Sequence, residues 1–260
     1  MSYKAVFLDI DGTILPHGKQ IARETKEAIA RLKEKGMHVV IATGRAPYFA
    51  QPVIADLGID SMIFFNGSYA LHEKKVIHET PIDKKVLEKL HTKTKEHQHP
   101  LTYLAGTEFR ATALEHPYVI EAFSQDPWKP ELASHTFWQE QHIYQLFLHC
   151  EAEEERLYQK HIPELDFRRW SQSTMRTCDV NLSTGTKATG IEKILERIGI
   201  APDEAVAFGD GLNDIEMLTM VGMGVAMGNA APEVQAYANM VTKTAEEHGV
   251  KYGLEKLGLL

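Results

Sequence analysis

The chain has 260 residues and a mass of 29.3 kDa, room for one large domain or two ordinary ones. Lys plus Arg number 28 against 36 Asp plus Glu, a formal charge of −8, which speaks against sequence-independent nucleic-acid binding and against docking on anionic lipid. The two cysteines, Cys150 and Cys178, make neither a disulfide framework nor a zinc spacing. The longest uncharged run, Met217 to Pro232, is too short to span a bilayer. The expectation is a cytoplasmic protein in a reducing compartment, with no nucleic-acid or membrane partner.

Ala5 to Leu8 is a short apolar run of the kind a buried parallel strand shows. Thr25, Ala28, Ile29 and Leu32 fall at helical spacing, and Gly36 supplies a stop. His38 to Ile41 reads as a second strand, Pro47 to Leu57 as a helix ended by Gly58, and Met62 to Phe65 as a third strand ending at Asn66-Gly67. This β-α-β-α-β order implies a parallel sheet with right-handed crossovers. Tyr69 to Thr80 resembles a hairpin and is the expected entry to a different region.

From about Ile82 to Val180 the composition changes. All three Trp and ten of the thirteen His lie between His72 and Trp170. Helical patterns (Lys84 to Glu96, Ala152 to His161) alternate with strand-like runs (Ile143 to His149, Asp166 to Trp170, Met175 to Val180). The expectation is a second α/β domain inserted at 82–183 into a core formed by 1–81 and 184–260. The core pattern then resumes with a helix at Lys187 to Ile198 and a strand at Ala205 to Phe208. A short helix at Asn213 to Met220, a strand at Val225 to Met227 and helices at Pro232 to Ala238 and Ala245 to Leu257 complete it.

Four loops of the outer thirds carry chemistry, and in open parallel sheets such loops converge outside the carboxyl ends of the strands. Asp9-Ile10-Asp11-Gly12-Thr13 places two carboxylates on one side of a strand end, where they resist joint ionisation without a cation or a proton. Ala42-Thr43-Gly44-Arg45 offers a hydroxyl and backbone N–H groups to an anionic oxygen, though Thr43 could equally cap the next helix. Lys187 opens a helix, where it opposes the macrodipole unless an anion sits there. Gly209-Asp210-Gly211-Leu212-Asn213-Asp214 gathers oxygen ligands on a tight turn that suits Mg²⁺. Together they supply a nucleophile, an acid–base group, phosphate-binding donors and metal ligands, which are the needs of phosphoryl transfer.

This motif set resembles the haloacid dehalogenase (HAD) superfamily. The long insertion resembles the Cof-type sugar-phosphatase-like branch. The resemblance implies a Rossmann-like parallel-sheet core with an inserted α/β cap that governs substrate choice. It implies Asp9 as the nucleophile that forms an aspartyl-phosphate, and Asp11 as the acid and base. It implies Mg²⁺ on Asp9, the Asp11 carbonyl, Asp210 and Asp214. Phosphate oxygens would rest on Thr43, Lys187, Asn213 and the backbone near Ile10 and Gly44. Arg45 and Trp170 are candidate substrate contacts, as are Tyr103, Phe109 and Arg110, although aromatic residues in the insertion can equally be core packing. His97 and His99 form an HxH with Glu96 beside them, which without further ligands is weak ground for a second metal. The expected activity is Mg²⁺-dependent hydrolysis of small phosphorylated metabolites by a monomer or weak homodimer. The alternatives are a hexose phosphomutase and a non-enzymatic phosphoacceptor module, against which Asp11 and the insertion both count.

Overall fold

The structure is a computed structural model and describes residues 3–16, 18, 20–124, 128–170 and 176–260. In chain order its elements begin β1 (Ala5–Leu8), α1 (Arg23–Glu34), β2 (His38–Ala42), α2 (Pro47–Leu57), β3 (Met62–Phe64), β4 (Tyr69–His72) and β5 (Lys75–Glu79). They continue with α3 (Lys84–Glu96), β6 (Leu101–Ala105), β7 (Phe109–Ala111), α4 (Pro117–Ala122), α5 (Phe137–Glu140), β8 (Ile143–His149), α6 (Arg156–Gln159), β9 (Leu165–Arg169) and β10 (Thr177–Leu182). The last are α7 (Lys187–Ile198), β11 (Ala205–Gly209), α8 (Ile215–Met220), β12 (Met223–Ala226), α9 (Pro232–Gln235), β13 (Met240–Val241) and α10 (Gly249–Lys256).

Among the described residues, the chain divides into two compact units. The first holds the described residues of Met1–Arg45, Ala50–Glu79 and Thr186–Leu260; the second holds those of Ala46–Phe49 and Thr80–Gly185.

The first unit is built on one sheet in the order β13-β12-β11-β1-β2-β3-β4-β5. β13 through β3 run parallel, and β4 and β5 append an antiparallel hairpin. Every residue of β1 and β11 is buried, as expected of central strands covered by helices on both faces. On α1, Thr25, Ala28, Ile29 and Leu32 form the buried stripe. Each of its two large aliphatic side chains contributes roughly 1.5–3 kcal/mol by leaving water. One face of the sheet packs Phe7, Val40 and Ala207 against Ile191, Ile194 and Leu195 of α7.

The second unit has an antiparallel sheet in the order β7-β6-β8-β10-β9. Leu101, Tyr103, Leu146, Leu148, Cys178 and Val180 project into a core with Val86, Leu87 and Leu90 of α3. The alternate positions mix the buried apolar Leu104 and Phe147 with polar side chains. His149 lies wholly buried between the hydroxyls of Thr102 (2.9 Å) and Thr177 (3.0 Å). Gln145 Nε2 donates to Asn181 Oδ1 at 3.1 Å, and Trp170 Nε1 donates to Asp179 Oδ1 at 2.7 Å. The free thiols Cys150 and Cys178 are buried.

Several elements depart from the pattern read in the sequence. The hairpin Tyr69 to Thr80 contributes β4 and β5 to the first unit's sheet, so that sheet is mixed rather than wholly parallel. The helix expected at Ala152 to His161 is only the short α6, because Glu153 has φ 73°. The helix expected at Ala245 to Leu257 is broken at His248, whose φ of 59° separates a 3₁₀ turn from α10. The segment Asn213 to Met220 opens as a 3₁₀ turn, Leu212–Asp214, before α8. Met175, the expected first residue of a strand, lies outside the described residues, and β10 runs over Thr177–Leu182.

Candidate active site

The four loops meet in the first unit at the carboxyl ends of β1, β2 and β11 and at the amino end of α7. Asp9 follows β1, its N–H bonded to Phe208 O at 3.1 Å, and the residue is only 6% exposed. Lys187 is 1% exposed. Its Nζ donates to Asp9 Oδ1 at 2.5 Å and to Asp214 Oδ1 at 2.6 Å. Thr186 caps α7 by accepting from Thr189 N, which places Lys187 in the first turn. The unfavourable end of the helix dipole is offset there by two carboxylates.

Asp214 is also buried, and its Oδ2 accepts from Asp210 N at 2.9 Å and Gly211 N at 2.8 Å. Asp210 is oriented by Thr13 Oγ1, which donates to Oδ1 at 2.8 Å, and by Asn229 Nδ2, 3.2 Å from Oδ2. Asn229 Nδ2 also donates to Gly12 O at 2.9 Å, and Asn229 Oδ1 accepts from Ala245 N at 2.9 Å. Gly12 is required by space and by backbone. Its φ is +76°, and a Cβ there would stand 2.1 Å from Asp210 Oδ2. Ile10 is fully buried, its carbonyl accepting from Leu15 N at 2.9 Å, so the Asp11 loop doubles back tightly.

Asp11 is the exposed carboxylate of the set. Arg45 grips it at two points, Nε to Oδ2 at 2.8 Å and NH2 to Oδ1 at 2.5 Å. Thr43 Oγ1 accepts from Arg45 N at 3.1 Å, leaving its own proton to donate elsewhere. Gly44 lies against the Asn66 carboxamide. Asn213 Nδ2 donates to Asn66 Oδ1 at 2.9 Å.

The electrostatics follow from burial. Loss of water pushes the Asp9 carboxyl well above the usual carboxylate range; Lys187 opposes the shift, and Asp214, Asp11 and Asp210 add to it. Burial would lower the Lys187 ammonium, but Asp214 and Asp9 outweigh it and raise it. Oxygens of Asp9, Asp210 and Asp214 lie within 4.8 Å of one another. A lone ammonium cannot neutralise that many carboxylates, so the donor set fits a hard divalent cation.

All the residues proposed from sequence in the core motifs come together in this one unit. Trp170 is placed in the second unit, where its indole N–H is bonded to Asp179 and its ring meets Phe147 edge-on at 5.2 Å. Tyr103 is fully buried with its hydroxyl 2.6 Å from His91 Nδ1, and Phe109 stacks on Tyr48. Arg110 is paired with Glu108. His99 lies 2.6 Å from the Tyr158 hydroxyl and faces Glu154, and its ring stacks on His97 at 5.9 Å. Sequence reasoning passed over Asn66 and Asn229. The available signal was position, since each is a polar residue just past a core strand.

A model of the haloacid dehalogenase-like hydrolases matches residues 6–254. YkrA of Bacillus subtilis (strain 168) is 39% identical over 260 residues, covering all of both chains. Pyridoxal phosphate phosphatase YbhA of Escherichia coli (strain K12) is 32% identical over 260 residues, covering 93% of each chain. The solved structure of the HAD subclass IIB sugar phosphatase BT4131 superposes with a TM-score of 0.85 at 27% identity, covering 99% of this chain and 100% of that one. A match over this much of the chain, added to the assembled motif loops, means that the chain belongs to the haloacid dehalogenase-like hydrolase family, as one of its phosphatases.

Proposed function

We propose that the chain hydrolyses phosphomonoesters of small metabolites, sugar-phosphate-like in character, through an aspartyl-phosphate on Asp9 and with Mg²⁺ as cofactor. The observation that carries this reading is the buried Asp9 carboxylate held on one oxygen by Lys187, with Asp11 two residues further on. Lys187 is the donor to Asp9 Oδ1, which leaves Oδ2 to attack phosphorus. In the first half-reaction a new O–P bond forms on Asp9 while the ester O–P bond breaks, and Asp11, protonated on an oxygen that Arg45 has released, gives that proton to the departing oxygen. In the second, Asp11 takes a proton from water, which attacks phosphorus and expels the Asp9 carboxylate as phosphate leaves. Thr43, Lys187, Asn213 and the backbone at Ile10 and Gly44 hold the non-bridging oxygens. Asp9, the Asp11 carbonyl and Asp210 would hold the cation, with Asp214 behind them. When bound, Mg²⁺ neutralises charge that builds on the phosphoryl oxygens. Arg45 orients Asp11 and is a proposed substrate contact.

The names of two similar proteins, a pyridoxal phosphate phosphatase and a sugar phosphatase, support the substrate class. The test is phosphate release from a panel of phosphorylated metabolites with Mg²⁺ and with EDTA, using Asp9→Asn as the blank. Mg²⁺-dependent release that the variant lacks is expected. Undiminished release by Asp9→Asn ends the reading, and hexose-phosphate isomerisation without release points to a mutase instead.

A further inference from the structure

The chain leaves β3 through Phe65, Asn66 and Gly67 with φ of 50°, 53° and 103°. Glycine adopts such angles freely and asparagine at small cost, but a phenylalanine there is an outlier. Backbone of this kind persists only where its surroundings hold it. All three residues are buried.

What holds them is the active site. Phe65 N donates to Arg45 O and Asn66 N donates to Thr43 O, both at 3.2 Å. The Gly67 backbone presses on the start of α7, where a Cβ would come within 1.9 Å of Thr186 O. The Asn66 side chain reaches Asn213 across 147 positions of sequence. One strained turn therefore touches the Thr43 loop, the residue before Lys187 and the Asn213 loop.

We infer that Asn66 is a positioning residue, whose carboxamide oxygen fixes the Asn213 side chain for an oxyanion. Asn213 Nδ2 carries two hydrogens, and Asn66 takes one, which aims the other. The inference rests on the reading that Asn213 holds a phosphate oxygen.

The test compares Asn66→Gly, Asn213→Ala and the double variant. Asn66→Gly keeps the positive φ without steric cost, so it removes the carboxamide and spares the turn. The readouts are the affinity for inorganic phosphate in Mg²⁺ by calorimetry, kcat and KM on p-nitrophenyl phosphate, and the melting midpoint. Asn66→Gly is expected to weaken phosphate binding and raise KM roughly tenfold, the size of one lost charge-assisted hydrogen bond. Its melting point should stay near the parent's, and the double variant should bind phosphate no more weakly than Asn213→Ala alone. Unchanged phosphate affinity in Asn66→Gly overturns the inference, as do losses that add in the double variant. Failure of the phosphatase reading shows separately, as full turnover by Asp9→Asn, while phosphate affinity still decides the role of Asn66.

Discussion

Lys187 and Asp9 are bonded at 2.5 Å inside the protein although 178 positions separate them in sequence. The same ammonium also holds Asp214, so one side chain ties the loop after β1 to the loop after β11. The bond is at once a fold contact and a chemical arrangement. It neutralises part of a buried acidic cluster and fixes which Asp9 oxygen is engaged.

Replacing Lys187 by Met should therefore damage both stability and activity. The variant leaves two buried carboxylates without their cation, a loss of about 3–5 kcal/mol for a broken buried pair. It also removes the proposed donor to the phosphoryl oxygens, and loss of such a donor typically lowers kcat by about 10²–10³. Denaturant titration and turnover on p-nitrophenyl phosphate check the two halves. Parent-like values in both would mean that the pair matters to neither.

Arg45 offers the opposite case. Its pair with Asp11 is partly open to water, with the side chains 30% and 48% exposed. Such pairs contribute about 0–1 kcal/mol to stability. Arg45→Ala should melt close to the parent yet turn over more slowly, because Asp11 loses the fork that orients it. A large drop in melting point with normal turnover would show the pair to be structural.

At Gly12 the prediction concerns the cation. Gly12→Ala forces a Cβ onto Asp210 Oδ2 and strains a positive φ. Asp210 must then leave its bonds with Thr13 and Asn229. The Mg²⁺ concentration for half-maximal activity should rise at least several-fold, read by titrating Mg²⁺ into the metal-free protein. An unchanged requirement would remove Asp210 from the ligand set.

The motif loops were legible in the sequence because their chemistry is local. Asp9-Ile10-Asp11-Gly12-Thr13 and Gly209 to Asp214 carry their donors within a few residues of a strand end. The central strands were legible because burial on both faces leaves continuous apolar runs. Asn66 and Asn229 were not, since their partners lie outside their own loops: Asn213 is 147 positions from Asn66, and Gly12 and Asp210 are 217 and 19 from Asn229. β6 escaped because buried Thr102 breaks its apolar run, and β7 because it is three residues long with Arg110 at its centre. The broken helices failed at Glu153 and His248, whose positive φ no propensity announces.

His149 sets a pH dependence of stability in the second unit. Burial lowers its pKa to about 3, with a small added push from His116. Both ring nitrogens are occupied by threonine hydroxyls, so the folded protein holds the imidazole neutral. The unfolded chain takes up a proton near the ordinary value of about 6.5. Between those values the unfolded state binds the extra proton, so stability rises with pH. The contribution is flat above about pH 6.5 and falls on acidification by about 1.4 kcal/mol per pH unit towards pH 3. Denaturant midpoints at pH 7 and pH 5 should show this slope, and His149→Gln, which can still donate and accept, should lose most of it. Should that variant fold poorly, NMR titration of the parent's ring provides the check: protonation of His149 above pH 5 in the folded protein would overturn the assignment.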